Sequence, residues 1–209
     1  MRAHLLAVAA ATLTFAGPAR AARVTDRGEI AIDIEAPGTT VCHYSDTGPV
    51  DAAACTPQER VTFANLKQVE PNAFAALVVH FGSWQTSVTV TRTTALHSMT
   101  SARLAEDLQA YTQGMRDKIA GTQMQITEAP HMVHAGSNVQ VIVSALRNPT
   151  LGIITRTLEV RALHATYRVL FSAAESHASD AAALADRTLR TLVARPALTF
   201  AEEQALYGR

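Results

Sequence analysis

The chain contains two cysteines, Cys42 and Cys55, and the segment that joins them, "VCHYSDTGPVDAAACTP", limits the fold more than any other stretch. In an oxidising compartment, two cysteines with 12 residues between them close into one disulfide, and Gly48-Pro49 supplies the chain reversal that the closure needs. A bridge over a loop of this length stabilises a fold by roughly 3 kcal/mol in the chain-entropy treatment. The N-terminus predicts that compartment. Met1-Arg2 gives a positive start, Leu5 to Ala16 is an apolar run broken only by threonines, and Ala19-Arg20-Ala21 has the small-x-small form that signal peptidase cuts. Residues 1–21 are therefore expected to be a signal peptide, with the remainder periplasmic or secreted. The apolar run is shorter than the ~20 residues that span a bilayer, and nothing later is longer, so no transmembrane segment is expected. Cys42 lies well inside the mature chain, away from the cleavage point where a lipoprotein carries its cysteine, and no lipid anchor is expected.

Lys plus Arg and Asp plus Glu each number 18; removing residues 1–21 takes Arg2 and Arg20 but no acid, which leaves 16 against 18. A nearly neutral chain has no cationic surplus for phosphate backbones or anionic lipids, and no nucleic-acid motif compensates. Nucleic acid is excluded as a partner on this ground. Apolar residues make up 48% of the chain, enough to build a core. The length predicts a single domain over 22–196, followed by a C-terminal tail, 197–209, in which Thr199 to Glu202 offers a capping box for a short helix.

Between the cysteines stands Asp46-Thr47-Gly48, the catalytic tripeptide of aspartic proteases. That chemistry needs two such aspartates facing each other to share one proton. Here there is one, preceded by His43-Tyr44-Ser45 instead of an apolar strand and followed by Pro49, so the segment reads as a stapled loop. No G-x-S-x-G elbow, P-loop or Rossmann glycine pattern occurs. Ser98 beside His97 reads as the lead-in to a helix, since neighbours in sequence do not form a dyad without a third group to orient them.

Ile30, Ile32 and Ile34 alternate with smaller or polar residues, the period of a half-buried strand. Thr56-Pro57-Gln58-Glu59 is a capping box with proline at the first helical position, which predicts a helix from Pro57 to about Lys67. Ala75, Leu77, Val79 and Phe81 alternate up to Gly82-Ser83, and a threonine-rich run through Val88 and Val90 continues as the second strand of a hairpin. From Ser101 to Ala120, Leu104, Leu108, Tyr111, Met115 and Ile119 share one side of a helix that Gly121 ends. Strand-like segments follow at about 122–128, 138–146, 152–162 and 165–172, and the last two are either separate or one bent strand. A final helix, capped by Ser179 or Asp180, buries Ala181, Leu184, Ala185, Thr188, Leu189, Leu192 and Val193 before Pro196.

This pattern predicts an α+β fold, an antiparallel sheet of about six or seven strands covered by helices. The order of elements resembles the PsbP-like family, and within it the small envelope members of DcrB-like type. The stretches that carry the resemblance are "GEIAIDIEAPG", "TSVTVTRTT", "SARLAEDLQAYTQGMRDKIAG", "SNVQVIVSALRNPTLGIITRTLEV" and "TYRVLFSAAESHASDAAALADRTLRTLV". It implies an αβα sandwich and an accessory or binding role in the envelope. It carries no functional residue across, and the disulfide loop and missing lipidation cysteine set this chain apart.

Individual residues add candidate sites. His131 and His134 in "APHMVHAG", taken as a loop, are two imidazoles that can share a metal if other ligands join them. The remaining histidines after residue 21, His43, His80, His97, His164 and His177, are scattered, and no metal or other cofactor is expected. Trp84, the single tryptophan, sits in the hairpin turn "FGSWQT", either as an anchor for a ligand or partner or folded back over the sheet edge. Strict alternation over 152–162 gives Arg156 the parity of Ile154, Leu158 and Val160 and turns it toward the core, with Thr155, Thr157, Glu159 and Arg161 on the other face. A buried guanidinium needs a carboxylate, for which Asp33 is a candidate, or an anionic ligand; a bulge or strand end would instead release it to solvent. Two classes of function stay open. One is a non-enzymatic envelope protein that binds a partner protein or small ligand; the other is a hydrolase built from a histidine and a carboxylate that the fold brings together. Convergent His, Asp and Ser side chains within hydrogen-bond reach in a cleft would favour the second.

Overall fold

A computed structural model describes residues 22–34, 36, 39–45, 48–49, 52–94, 101–135 and 139–207. Residues 1–21, expected to be a signal peptide, Asp46 and Thr47 of the tripeptide, and His97-Ser98 lie outside them. The fold is α+β. Strands β3 (Thr40–Ser45), β5 (Ala73–Phe81), β6 (Trp84–Thr94), β7 (Gln125–Ala135), β8 (Val139–Asn148), β9 (Ile153–Arg161) and β10 (Ala165–Ala174) form one antiparallel sheet in the order β3-β5-β6-β10-β9-β8-β7, with the two-residue β4 (Gly48–Pro49) on its β3 edge. A smaller sheet, β1-β2-β11, joins β1 (Ala22–Asp26), β2 (Ile30–Ile34) and β11 (Val193–Ala194). The helices are α1 (Pro57–Val69), α2 (Ser101–Ile119), α3 (Ala178–Thr191) and α4 (Phe200–Tyr207).

Alternation along each strand sorts the side chains onto two faces. One row across the sheet reads Val88, Phe171, Arg156 and Ala145, and the next reads Val90, Val169, Leu158 and Val143. The apolar members Val88, Val90, Val143, Leu158, Val169 and Phe171, with Leu77, Val79 and Tyr167, meet Ile32 and Ile34 of the small sheet and Leu184 and Ala185 of α3, all buried in one core. Each such aliphatic or aromatic side chain contributes about 1.5–3 kcal/mol when fully buried. The opposite face carries α1 and α2. Helix α1 seats Phe63 on Cys42, Cys55, Ala76 and Val78, and the Phe63 ring stacks on Tyr44 at 5.5 Å. Helix α2 lies toward the far edge, where the Tyr111 hydroxyl meets Ser144 Oγ at 3.1 Å. Burial pushes the Tyr111 pKa up.

Helix α1 begins as the capping box predicts. The Glu59 amide donates to Thr56 Oγ1 at 3.3 Å and the Thr56 amide donates to Glu59 Oε2 at 2.7 Å, while Glu59 Oε1 also lies 2.9 Å from His80 Nε2 on β5. Replacing Thr56 with Ala is expected to lower stability by about 1 kcal/mol. An unchanged urea midpoint for that variant would show that the box contributes nothing.

Some expectations need correction. Strand β1 and the small sheet were not anticipated. Ala22 and Val24 are buried and Arg23 is exposed, but five residues carry too little pattern to be read from the sequence. Helix α3 has no side-chain cap from Ser179 or Asp180. It starts at Ala178 with His177 in the cap position, directly after a 3-10 turn at Glu175–His177. It stops at Thr191 because Val193–Ala194 pairs with β2, which leaves Val193 on the surface although Leu192 stays buried. The segments either side of His164 are two strands, β9 and β10, joined by a tight turn in which the Ala162 amide donates to the Ala165 carbonyl at 3.0 Å. In the tail, Thr199 and Glu202 form the expected capping box at the start of α4. Among the described residues no helix is long and apolar enough to cross a membrane.

Candidate functional site

Cys42 and Cys55 form the disulfide, with Cα atoms 4.7 Å apart. The bridge ties the start of α1 to β3, which is a structural role and agrees with an oxidising compartment.

The residues that could meet a ligand gather at one end of β5, β6, β8, β9 and β10, where three turns converge. Gly82, at φ +65°, reverses β5 into β6. That two-residue turn makes Phe81 and Trp84 partners in register, and their rings stack at 4.2 Å. The 3-10 turn after β10 brings the His177 ring parallel to Trp84 at 4.5 Å. Gly152, at φ +61°, turns β8 into β9, and its carbonyl accepts from the Glu175 amide at 2.8 Å, which fixes the second and third turns to each other. Together they enclose an open cleft of about 500 Å³. Trp84, Leu151 and Ile153 supply its apolar wall, and Leu151 is 66% exposed. Ser83, Gln85, Ser87, Ser172 and Ser176 supply polar groups. Trp84, the first residue of β6, packs between Phe81 and His177 at the end of the sheet and also lines the cleft.

The cleft opens onto a strip of sheet that no helix covers among the described residues. Helix α1 packs on β5, α2 on β7, and α3 on the other face. Between the first two, β6, β10 and β9 present Thr89, Leu170 and Thr157, all half-exposed. Ser172 Oγ and Thr155 Oγ1 bond to each other at 2.9 Å on the same face.

The same cleft tests the hydrolase reading. His177 Nδ1 lies 3.5 Å from Asp180 Oδ2, and Ser176 is its chain neighbour. Among the described residues no serine hydroxyl bonds to His177; Ser172 bonds Thr155, and Ser87 points its weak 3.5 Å contact at the Ser172 carbonyl. A nucleophile activated by a base needs that missing bond. The imidazole is instead held as a stacking ring.

Arg156 turns inward as its parity predicts, without a bulge in β9. Its partners differ from the one expected. Nη1 donates to Asp186 Oδ1 at 2.7 Å and to the Ala182 carbonyl at 3.0 Å, both on α3, and Nη2 donates to Glu128 Oε1 of β7 at 3.2 Å. Asp33 lies instead 3.7 Å from Arg23 in the neighbouring strand. With two carboxylates on one guanidinium, Arg156 has no surplus charge for an anionic ligand. It clamps α3 to the sheet.

His131 and His134 lie in strand β7, not in a loop. An odd separation of three along a strand turns two side chains to opposite faces, so the pair cannot converge on one ion. His131 contacts the Ala129 carbonyl at 3.1 Å and Glu128 at 3.8 Å. No group of three His, Cys, Asp or Glu side chains among the described residues is arranged to hold a metal.

Two features escaped the sequence reading. Glu159, placed by alternation on the solvent side, is 2% exposed because α2 covers that part of the face. It accepts from Arg161 Nη2 at 2.8 Å and Arg168 Nε at 2.7 Å, and Arg161 continues to Asp107 of α2 at 2.8 Å. His43 is the second. It is buried on β3 beside a small cavity formed with Val24, Thr25 and Phe74. Burial lowers its pKa below the ordinary value of 6.5. In that state the unfolded chain takes up a proton that the native protein refuses. The stability His43 contributes is complete above pH 6.5 and is lost as pH falls through its folded pKa. Urea midpoints followed downward from pH 7 are expected to fall less steeply for His43→Phe than for the parent. Equal slopes would show that His43 titrates normally.

Comparison with known protein families, with curated proteins and with solved structures returns no match.

Proposed function

We propose that this is an exported, non-enzymatic binding protein of the cell envelope that takes its ligand in the cleft at the Trp84 end of the sheet. The supporting observation is the cleft itself. A stacked tryptophan and histidine and an exposed leucine stand beside polar side chains of which Ser83, Gln85 and Ser176 are unengaged among the described residues, and three turns joined by ring stacking and a backbone hydrogen bond hold them in place. Such a mixture of apolar wall and a few polar groups is what small-ligand sites offer, while the groups that would make the same cleft a hydrolase are not connected. The resemblance of the element order to PsbP-like accessory proteins points the same way, and the disulfide favours a periplasmic or secreted setting over a reducing one.

Native mass spectrometry of the protein recovered from the envelope of the exporting cell tests this reading. Wild-type protein is expected to carry a bound small molecule that Leu151→Arg, a change at an exposed position, does not. A bare monomer in both cases, together with turnover of simple ester or amide substrates dependent on His177, would replace binding with hydrolysis.

A further inference from the structure

We infer that the ligand of this cleft is a neutral saccharide, laid along the uncovered serine- and threonine-bearing strip of β6, β10 and β9. This rests on the binding reading above and narrows it by the chemistry of the lining. No Lys, Arg, Asp or Glu side chain lines the cleft among the described residues. The charged groups around it have partners: Arg147 pairs with Glu175 at 2.9 Å at the rim, Asp180 lies 3.5 Å from His177, and Arg168, farther along the strip, pairs with the buried Glu159 at 2.7 Å. A charged ligand would find no Lys, Arg, Asp or Glu counter-charge on the cleft lining among the described residues, and would lose its hydration without recompense.

A peptide is disfavoured for a different reason. Extended peptides bind sheets by adding to an edge, where backbone N–H and C=O groups are unpaired. Strands β6, β10 and β9 are interior, each bonded to a neighbour on both sides, so their backbones offer nothing. What remains is side-chain hydroxyl and amide groups. The side chains of Ser83, Gln85 and Ser176 make no hydrogen bond among the described residues, and hydroxyls both donate and accept. A wholly apolar ligand would leave these groups facing hydrocarbon. A sugar matches both halves of the lining, its hydroxyls against the serines and glutamine, and its C–H face against Leu151, Ile153 and the aromatic stack. From Ser172 in the cleft, Thr89 and Thr157 carry the same chemistry farther along the strip.

Trp84 is the only tryptophan, so its emission reports on the cleft directly. The full exported chain is titrated with maltohexaose, cellohexaose and hexa-N-acetylchitohexaose, and in parallel with hexagalacturonate and acetyl-tetraalanine amide. The expected result is a saturable change with at least one neutral hexasaccharide that 0.5 M salt leaves unaltered, about three- to tenfold weaker in Gln85→Ala or Ser176→Ala. It is absent in Leu151→Arg, with the melting temperature of all three variants unchanged. A response confined to hexagalacturonate or to the peptide, and lost in Leu151→Arg, would overturn the saccharide while leaving the cleft as a binding site. If no sugar responds but a native adduct is still lost in Leu151→Arg, the ligand class is wrong and the binding reading stands. If that adduct survives Leu151→Arg, both fail.

Discussion

Glu159→Ala is expected to lower the stability of this protein by about 3–5 kcal/mol, the cost of leaving a buried ion without its partner. The carboxylate is 2% exposed and holds two guanidiniums. One of them, Arg161, is itself only 13% exposed in its side chain and is the link to Asp107 on α2. Once Glu159 is gone, Arg161 keeps a single partially hydrated acid, and the sheet loses its charged tether to that helix. Glu159→Gln keeps the shape and one acceptor and should cost less. Urea denaturation of the two variants distinguishes this network from a surface ion pair, for which the loss would be under about 1 kcal/mol.

The second large effect comes from the disulfide. Changing Cys42 and Cys55 together to Ser is expected to cost roughly 3 kcal/mol, because the unfolded chain regains the freedom of the loop between them. For a domain of this size that corresponds to a fall in melting temperature of about 6–12 °C. The folded protein also loses part of a local core. Both sulfurs pack with Phe63, Ala76 and Val78 under α1, and two hydroxyls would be buried in their place. Reduction of the native protein should reproduce most of the fall. If neither treatment moved the melting temperature, the loop would have to be ordered by its other contacts alone.

Where a single element carried its own pattern, the sequence was enough to place it. The capping box at Thr56 set the start of α1, the turn at Gly82-Ser83 set the β5–β6 hairpin, and Gly121, at φ +75°, marks the end of α2. Alternation placed Arg156 on the inner face, since no bulge interrupts β9. Its acceptors were not legible, because Asp186 and Glu128 are brought to it by α3 and β7, elements distant in the chain. Glu159 shows the same limit from the other side: alternation gives the face of a side chain, but whether a helix covers that face depends on packing. The histidine pair was misread because "APHMVHAG" contains loop-forming residues, yet pairing with β8 across two register shifts keeps it in a strand. Of the cleft, Trp84 was visible as an unusual residue in a turn. His177, Leu151 and Ser176 come from turns far apart in sequence, and only the closed sheet joins them.

The most direct test of the central claim, that the cleft is where this protein meets its ligand, is hydrogen–deuterium exchange of the protein isolated with its bound molecule and again after that molecule is stripped. Binding in the cleft predicts that stripping raises exchange in the three turns around Ser83, Gly152 and Ser176 while α1 and β7 stay as they were. Increased exchange confined to α1 or to β7, with the three turns unaltered, would contradict the claim and move the functional surface elsewhere.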